Sequence, residues 1–477
     1  MKILDFFSKN QKLIIFSCLS LAALFFIDKA LGAGTLLVFF LASVSLFFIG
    51  MRKESKERKV LGTLFLIVFS LHVLGVILMY YTNFQPFSGG GGDYTIYQQN
   101  AQLIAGRVHQ GNFSLQGIDL GNYYPVIVGY IYTFTVASML IGQLFNAWLV
   151  ALLIIFIYLI VREIGGTEKE GFLTGLMASV YPSLAFYGSL LLKDALVVLL
   201  CMTGLLLTLK IVKNFSILKF LGFFIILTSL IHSRFYVGYA LMFGFVISWF
   251  LISNFNIKKR IIYGIIMVFI LGFSPQILGN GYYGSTNLII YLNPKRITFY
   301  KEIVYAPPVQ SPPVQLPPVQ SPPVQSPPQV KPPALQPTAS GTGRSSSIAM
   351  KTGLENPVAF IKNTFLSFIY AFIGPFPWQL EIKRYLFVLP EMIIWYFLLF
   401  FIIKGIINSI KKRNKIIFPL IIFSIFVMGV LSIFMSNFGI ITRIRMPVFL
   451  ALSCLFPLGF ERIKNIKIPL LNKIFDA

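Results

Sequence analysis

The 477-residue chain is poor in charge and poorer still in acid. Asp and Glu number 16 against 40 Lys and Arg, and the four types together make up 12% of the sequence. A globular domain wetted on all sides carries about twice that share, so a fully solvated exterior is excluded. Cysteine and histidine are scarce as well, three of each. Cys18, Cys201 and Cys454 fall inside hydrophobic runs, which excludes a disulfide framework, and they show no metal-ligand spacing. His72 lies within a hydrophobic run and His232 beside Arg234, isolated from other ligand types, so they read as hydrogen-bonded packing residues and no metal site is expected.

What fills the chain instead is apolar. Hydrophobic residues make up 56%, the mean hydropathy is +0.79, and several runs approach the roughly 20 residues that cross a bilayer. The expected fold class is an all-α polytopic membrane protein with about twelve transmembrane helices. These fall near 12–27, 31–50, 60–82, 144–161, 172–189, 194–211, 217–233, 235–254, 261–278, 384–404, 415–434 and 445–460. The first run ends in Asp28-Lys29 without a small-residue cleavage site, so it reads as a membrane helix and not a signal peptide.

The net charge of +24 invites a nucleic-acid reading, but its placement excludes one. Basic residues gather in short hydrophilic gaps: 52–59, 210–219, 258–260, 411–415 and 462–467. That is the positive-inside pattern, and the simplest role of each cluster is a topological anchor. The run from Tyr123-Tyr124-Pro125 to Gly142 decides the topology. If it spans, most later basic clusters turn outward; if it is interfacial, the positive-inside rule holds throughout. The interfacial reading is adopted, with both termini cytoplasmic.

Three modules follow. Residues 1–278 form an N-terminal transmembrane module whose first outer loop, 83–143, carries the candidate active site. Residues 279–383 form an outer loop with a Pro-rich stretch at 306–347, and residues 384–477 supply the C-terminal helices. The Pro-Pro-Val-Gln unit repeats every five residues from Pro307 and reads as an extended polyproline-type spacer.

The first outer loop opens on a tetraglycine and an acid, Gly89 to Gly92 and then Asp93. Apolar residues follow at 94, 97, 101, 104 and 108, the spacing of an amphipathic helix lying on the bilayer. Asp93 is either the N-cap of that helix or a base for chemistry at the membrane surface. Other outer acids are Asp28, Asp119, Asp194, Glu302, Glu355, Glu381 and Glu391; the outer bases include Arg107, Lys193, Arg234, Lys383, Arg384, Arg443 and Arg445. Ionisable groups at a bilayer face need partners or a task. A carboxylate there can take the proton of an acceptor hydroxyl, while Arg and Lys hold a lipid phosphate and offset its developing charge. The structural alternatives are that Lys193-Asp194 starts a helix and that Arg443 and Arg445 anchor one.

Ordered stretches of the chain carry a resemblance. Gly-Gly-Asp93-Tyr94 with Tyr97 and Ala101, then Tyr124-Pro125-Val-Ile-Val-Gly, then Asn146 on a helix ending Val161-Arg162-Glu163, resemble the bacterial GT-C glycosyltransferases. Those include the aminoarabinose, protein-mannose and lipopolysaccharide-core transferases. Tyr181-Pro182-Ser183 through Tyr187 to Lys193-Asp194, Gly374-Pro375-Phe376-Pro377-Trp378, and Asn437 through Arg443-Ile-Arg445-Met-Pro447 fit a branch of envelope-glycan enzymes. The resemblance implies a GT-C-like fold in the bacterial inner membrane and a polyprenyl-phosphate-linked sugar donor. The acceptor would be a glycan, lipid or protein, with transfer on the outer face. It places the essential acid at Asp93. The paired acid common in the family is missing, since Gly92 and Tyr94 flank Asp93, and Asp194 is the candidate second acid. Tyr94, Tyr97, Arg107, Tyr124, Lys193, Arg234, Arg443 and Arg445 are the candidate substrate-binding residues. Cofactor use is left open, a divalent cation included. Competing expectations are an O-antigen-type polymerase or ligase, relying on outer Arg and His residues, and a lipid-linked oligosaccharide transporter.

Overall fold

A computed structural model describes residues 23–83, 92–118, 120–277, 293–298, 353–354, 356–376, 388–434 and 438–460. Most of the first expected span, Cys18, Gly89 to Gly91, Asp119, the Pro-rich repeat and the basic cluster at 462–467 lie outside the described residues. So do Glu302, Glu355, Pro377, Trp378, Glu381, Lys383, Arg384 and Asn437.

The described residues form helices and no strand. In chain order these are α1 (Lys29–Gly50), α2 (Ser55–Thr82), α3 (Asp93–His109), α4 (Tyr124–Phe134), α5 (Met139–Glu163) and α6 (Glu168–Ser179). Next come α7 (Pro182–Gly188), α8 (Asp194–Lys213), α9 (Ile217–Ser233), α10 (Phe235–Ile252), α11 (Ile257–Ile277) and the short α12 (Pro294–Thr298). The last are α13 (Pro357–Ile373), α14 (Leu389–Lys411), α15 (Phe418–Phe434), α16 (Phe438–Ser453) and α17 (Phe456–Gly459). Among the described residues, seven helices are long and apolar enough to cross a membrane: α1, α2, α5, α8, α10, α14, and α15 with the turn before it. Phe39, Phe40, Phe47 and Phe48 on α1, and Phe397 and Phe400 on α14, point their rings outward. Such surfaces are stable against lipid and not against water. The chain is an all-α, membrane-embedded protein.

Local chemistry sets the boundaries. Asp28 caps α1, its carboxylate accepting from the Ala30 N–H at 2.7 Å. Thr167 and Glu170 form a reciprocal capping box at α6. Pro182 lacks the N–H needed to continue that helix, so the expected single span 172–189 is two short helices, α6 and α7. The decisive run at 123–142 also breaks. Pro125 opens α4, which stops after 11 residues, about 16 Å and too short for a bilayer core of roughly 30 Å. The spanning helix α5 begins at Met139, five residues before the expected 144.

α5 is the hub, buried along most of its length and packed against α1, α2, α6 and α8. Gly171 and Gly175 let α6 approach closely. A Cβ at 171 would meet the Tyr158 ring at 2.8 Å, and one at 175 would meet Ile154 at 3.0 Å. α8 continues the layer to α9 and α10, and α10 packs on α15. α13 lies inside the expected outer loop 279–383 yet packs on α15 as a 17-residue apolar helix.

Hydrogen bonds sort the charged segments to opposite ends. At one end Lys56 meets Glu168 at 3.8 Å and Lys213 meets Glu163 at 2.8 Å. There Asn254 also donates to the Lys213 carbonyl at 2.8 Å, and Asn414 to that of Ile164 at 3.1 Å. The basic clusters at 52–59, 210–219, 258–260 and 411–415 belong to this end. Asp28, Asp93, Asp194, Arg234 and Arg443 belong to the other.

Candidate active site

α3 and α4 pack as a helical hairpin over the second end of the bundle. The buried stripe of α3 is Tyr94, Tyr97, Ala101, Ile104 and Ala105; Val108 is half-buried. Asp93 is the first residue of α3, at the edge of that stripe, and its side chain is 51% exposed. Gly92 occupies the N-cap position, so Asp93 is not the N-cap. The Asp93 Oδ2 accepts from Arg443 Nη1 at 3.0 Å, across 350 residues of sequence.

Arg443 comes from α16, where Pro447 lacks the N–H that would bond to the Arg443 carbonyl. Besides Asp93, the guanidinium reaches Asp194 Oδ2 through Nε at 3.1 Å and Nη2 at 2.7 Å. Asp194 opens α8 and is 2% exposed. Its other oxygen accepts from Arg234 Nη2. Arg234 sits at the extended corner between α9 and α10 and also donates from Nη1 to the Tyr236 hydroxyl at 3.0 Å. Its Nε–H is buried without a hydrogen-bond partner among the described residues. The Tyr187 ring lies 5.8 Å from the Arg443 guanidinium carbon, and its hydroxyl is 3.1 Å from Thr442 Oγ1.

Asp93, Arg234 and Arg443 border a cavity of about 760 Å³, within the usual range for a small-molecule site. Asp93, Lys193, Arg234 and Arg443 line it together with Asn122, Tyr123 and Tyr236. Leu115, Leu120, Val126, Ile231 and Phe235 supply an apolar wall. Two carboxylates and three cations leave an excess of one positive charge, which suits an anion. Lys193 is pushed down to about 8, by burial and then by the nearby Arg234. Burial and the Asp93 charge push the Tyr97 phenol up to about 12. Among the described residues no group of three or more His, Cys, Asp or Glu could hold a metal ion.

No protein-family model matches the chain, and no curated protein matches it. The site is therefore argued from its own geometry.

Not every residue singled out from sequence reaches the cavity. Asp194 lies behind it, with both oxygens committed to arginines; it orients cations and is not placed to take a proton. Arg445 is fully buried, two positions from Arg443. It pairs with Glu391 Oε1 at 2.9 Å and donates to the Gly374 carbonyl at 2.6 Å. Glu391 Oε2 accepts from the Ser183 N–H at 3.0 Å and from its hydroxyl. Arg445 thus clamps α16 to α14, α7 and the end of α13. Arg107 is on the surface, bonding the Ser114 and Gln116 carbonyls at 3.0 and 2.8 Å, and it staples the loop after α3.

The tyrosines stand behind the site. Tyr124 is buried and donates to Asn146 Oδ1 at 2.9 Å. Asn146 in turn donates to the Leu190 and Leu192 carbonyls at 2.6 and 2.8 Å, fixing the turn that delivers Lys193 and Asp194. Tyr97 packs edge-on to Tyr124, with ring centroids 5.5 Å apart, and accepts from Asn122 Nδ2 at 3.3 Å. Tyr94 belongs to the buried stripe. Asn122, Tyr123 and Tyr236 were not singled out as site residues from the sequence. Their only signal is proximity to Tyr124 and Arg234, and neutral polar residues at helix ends are too common to read.

Proposed function

We propose that the chain is a membrane glycosyltransferase of GT-C type. It moves a sugar from a polyprenyl-phosphate donor to an acceptor hydroxyl at the membrane face that carries the cavity. In a bacterial cell that face is the outer face of the inner membrane, with both termini cytoplasmic. The observation that carries the reading is one half-exposed carboxylate beside three convergent cations in a single cavity at the end of an apolar helix bundle.

The chemistry follows from the roles these groups can take. Asp93 accepts the acceptor's hydroxyl proton, and the freed oxygen bonds to the anomeric carbon. The bond from that carbon to the phosphate oxygen breaks, its electron pair passing to the phosphate. Lys193, Arg234 and Arg443 offset the charge that develops there. The unpartnered Arg234 Nε–H supports an acidic ligand, since a buried donor without an acceptor is costly. The apolar wall suits the first units of the polyprenyl tail.

The test is transfer from a panel of polyprenyl-phosphate sugars by purified protein in nanodiscs, wild type against Asp93→Asn. Transfer by wild type that vanishes in the variant is expected. Transfer that survives would remove Asp93 as the base and favour a polymerase- or ligase-like use of Arg234 and Arg443.

A further inference from the structure

The opposite end of the bundle holds a second cavity, of about 460 Å³, where the ends of α5, α8, α10 and α14 meet. Its charged lining is Glu163, Lys213, Arg413 and Lys415. Lys213 neutralises Glu163 at 2.8 Å. Arg413 and Lys415 have no ion-pair partner among the described residues, so the cavity keeps two uncompensated cations. Ile164, Val212, Ile252 and Ile416 form its apolar lining.

Arg413 reaches this cavity from an unusual backbone conformation. Its φ is +56°, in the left-handed region that glycine and asparagine favour. An asparagine stands next in sequence, yet Asn414 is used otherwise. Its side chain donates to the Ile164 carbonyl at 3.1 Å and accepts from the Ile416 N–H at 3.3 Å, pinning the turn to the end of α5. The turn therefore places Arg413 in the cavity lining in a backbone conformation that residues with a side chain of this size rarely adopt. Leu251 on α10 and Ile407 and Ile410 on α14 expose apolar surface on the helices whose ends border the cavity.

We propose that this cavity binds the headgroup of an anionic glycerophospholipid. Arg413 and Lys415 hold the phosphodiester, and the acyl chains follow the exposed apolar faces of α10 and α14. Two unpaired cations select a negative headgroup over a zwitterionic one, and the apolar flanks select a lipid over a free phosphate. The site is independent of the chemistry at the other end.

The experiment compares wild type with Arg413→Asn/Lys415→Ala, using full-length protein in detergent. Asparagine tolerates the left-handed conformation, so the variant keeps the turn. Phosphatidylglycerol, phosphatidylcholine and inorganic phosphate are titrated separately, with bound lipid counted by native mass spectrometry and stability followed by thermal shift. Wild type is expected to retain phosphatidylglycerol and be stabilised by it, with affinity falling about thirtyfold in the variant. Phosphatidylcholine and inorganic phosphate should do neither. Equal phosphatidylglycerol binding by both proteins, or equal binding of phosphatidylcholine by wild type, overturns the proposal. Stabilisation by inorganic phosphate alone reassigns the cavity to a soluble anion and overturns it as well.

Discussion

Asp194 and Asp93 share Arg443, yet their removal should have opposite consequences. Asp194 is 2% exposed and holds two arginines that are themselves 9% and 19% exposed. Asp194→Asn leaves those guanidiniums facing each other without the carboxylate that compensates them. Breaking a buried pair by removing one partner costs about 3–5 kcal/mol. Arg443 keeps Asp93, so a loss near the lower end, about 3 kcal/mol, is expected. Asp93 is 51% exposed and solvent screens its pair, so Asp93→Asn should cost no more than about 1 kcal/mol. The protein carries its own probe for this comparison. Cys201 and Cys454 are buried, and a thiol-reactive fluorophore reports their exposure on heating in a Cys18→Ser background. Asp194→Asn should unfold well below wild type and Asp93→Asn close to it, while transfer activity is lost in the Asp93 variant. Equal destabilisation by the two would refute the assignment of Asp194 as the structural centre and Asp93 as the reactive group.

Lys193 gives a pH signature. Its folded value, about 8, lies below the ordinary 10.5, so the unfolded state binds more protons between them. Stability should therefore rise with pH from about 8 to 10.5, and Lys193→Met should flatten that rise in thermal unfolding. Binding of the anionic donor should weaken over the same window as the charge is lost. Lys193→Arg, which stays charged, should keep its affinity to higher pH. Asn146→Leu strands the Leu190 and Leu192 carbonyls and the Tyr124 hydroxyl. It should cost about 2–4 kcal/mol and reduce donor affinity through a misplaced Lys193, read by thermal shift and by titration. Arg445→Met should destabilise by about 3–5 kcal/mol through the stranded Glu391, and Arg445→Met/Glu391→Leu should recover part of the loss. Arg107→Ala should leave donor affinity unchanged, since its guanidinium bonds the Ser114 and Gln116 carbonyls and is not among the described residues lining the cavity.

Some of the site was legible early because its signals are local. The apolar stripe at 94, 97, 101 and 104 marked α3 and its buried face, with Asp93 at the helix start. Pro125 marked a helix start, and charge placement pointed to an interfacial α4, but apolar composition alone could not show that the expected span 172–189 breaks at Pro182 into α6 and α7. α13 escaped notice because Lys362 and Asn363 interrupt its apolar run and a long polar segment precedes it.

By itself the sequence determined the membrane class, the helix-rich architecture and the sorting of basic gaps to one end, because hydrophobic run length and charge placement act locally along the chain. Tertiary structure alone decided which charges work together. Arg443 and Arg445 are two residues apart, which on a helix is roughly 200° of rotation. One therefore meets acids from α3 and α8 at a cavity, and the other is buried against Glu391. No pattern within α16 distinguishes them, because each partner arrives from elsewhere in the chain: Asp93 and Asp194 from the N-terminal half, Glu391 from α14.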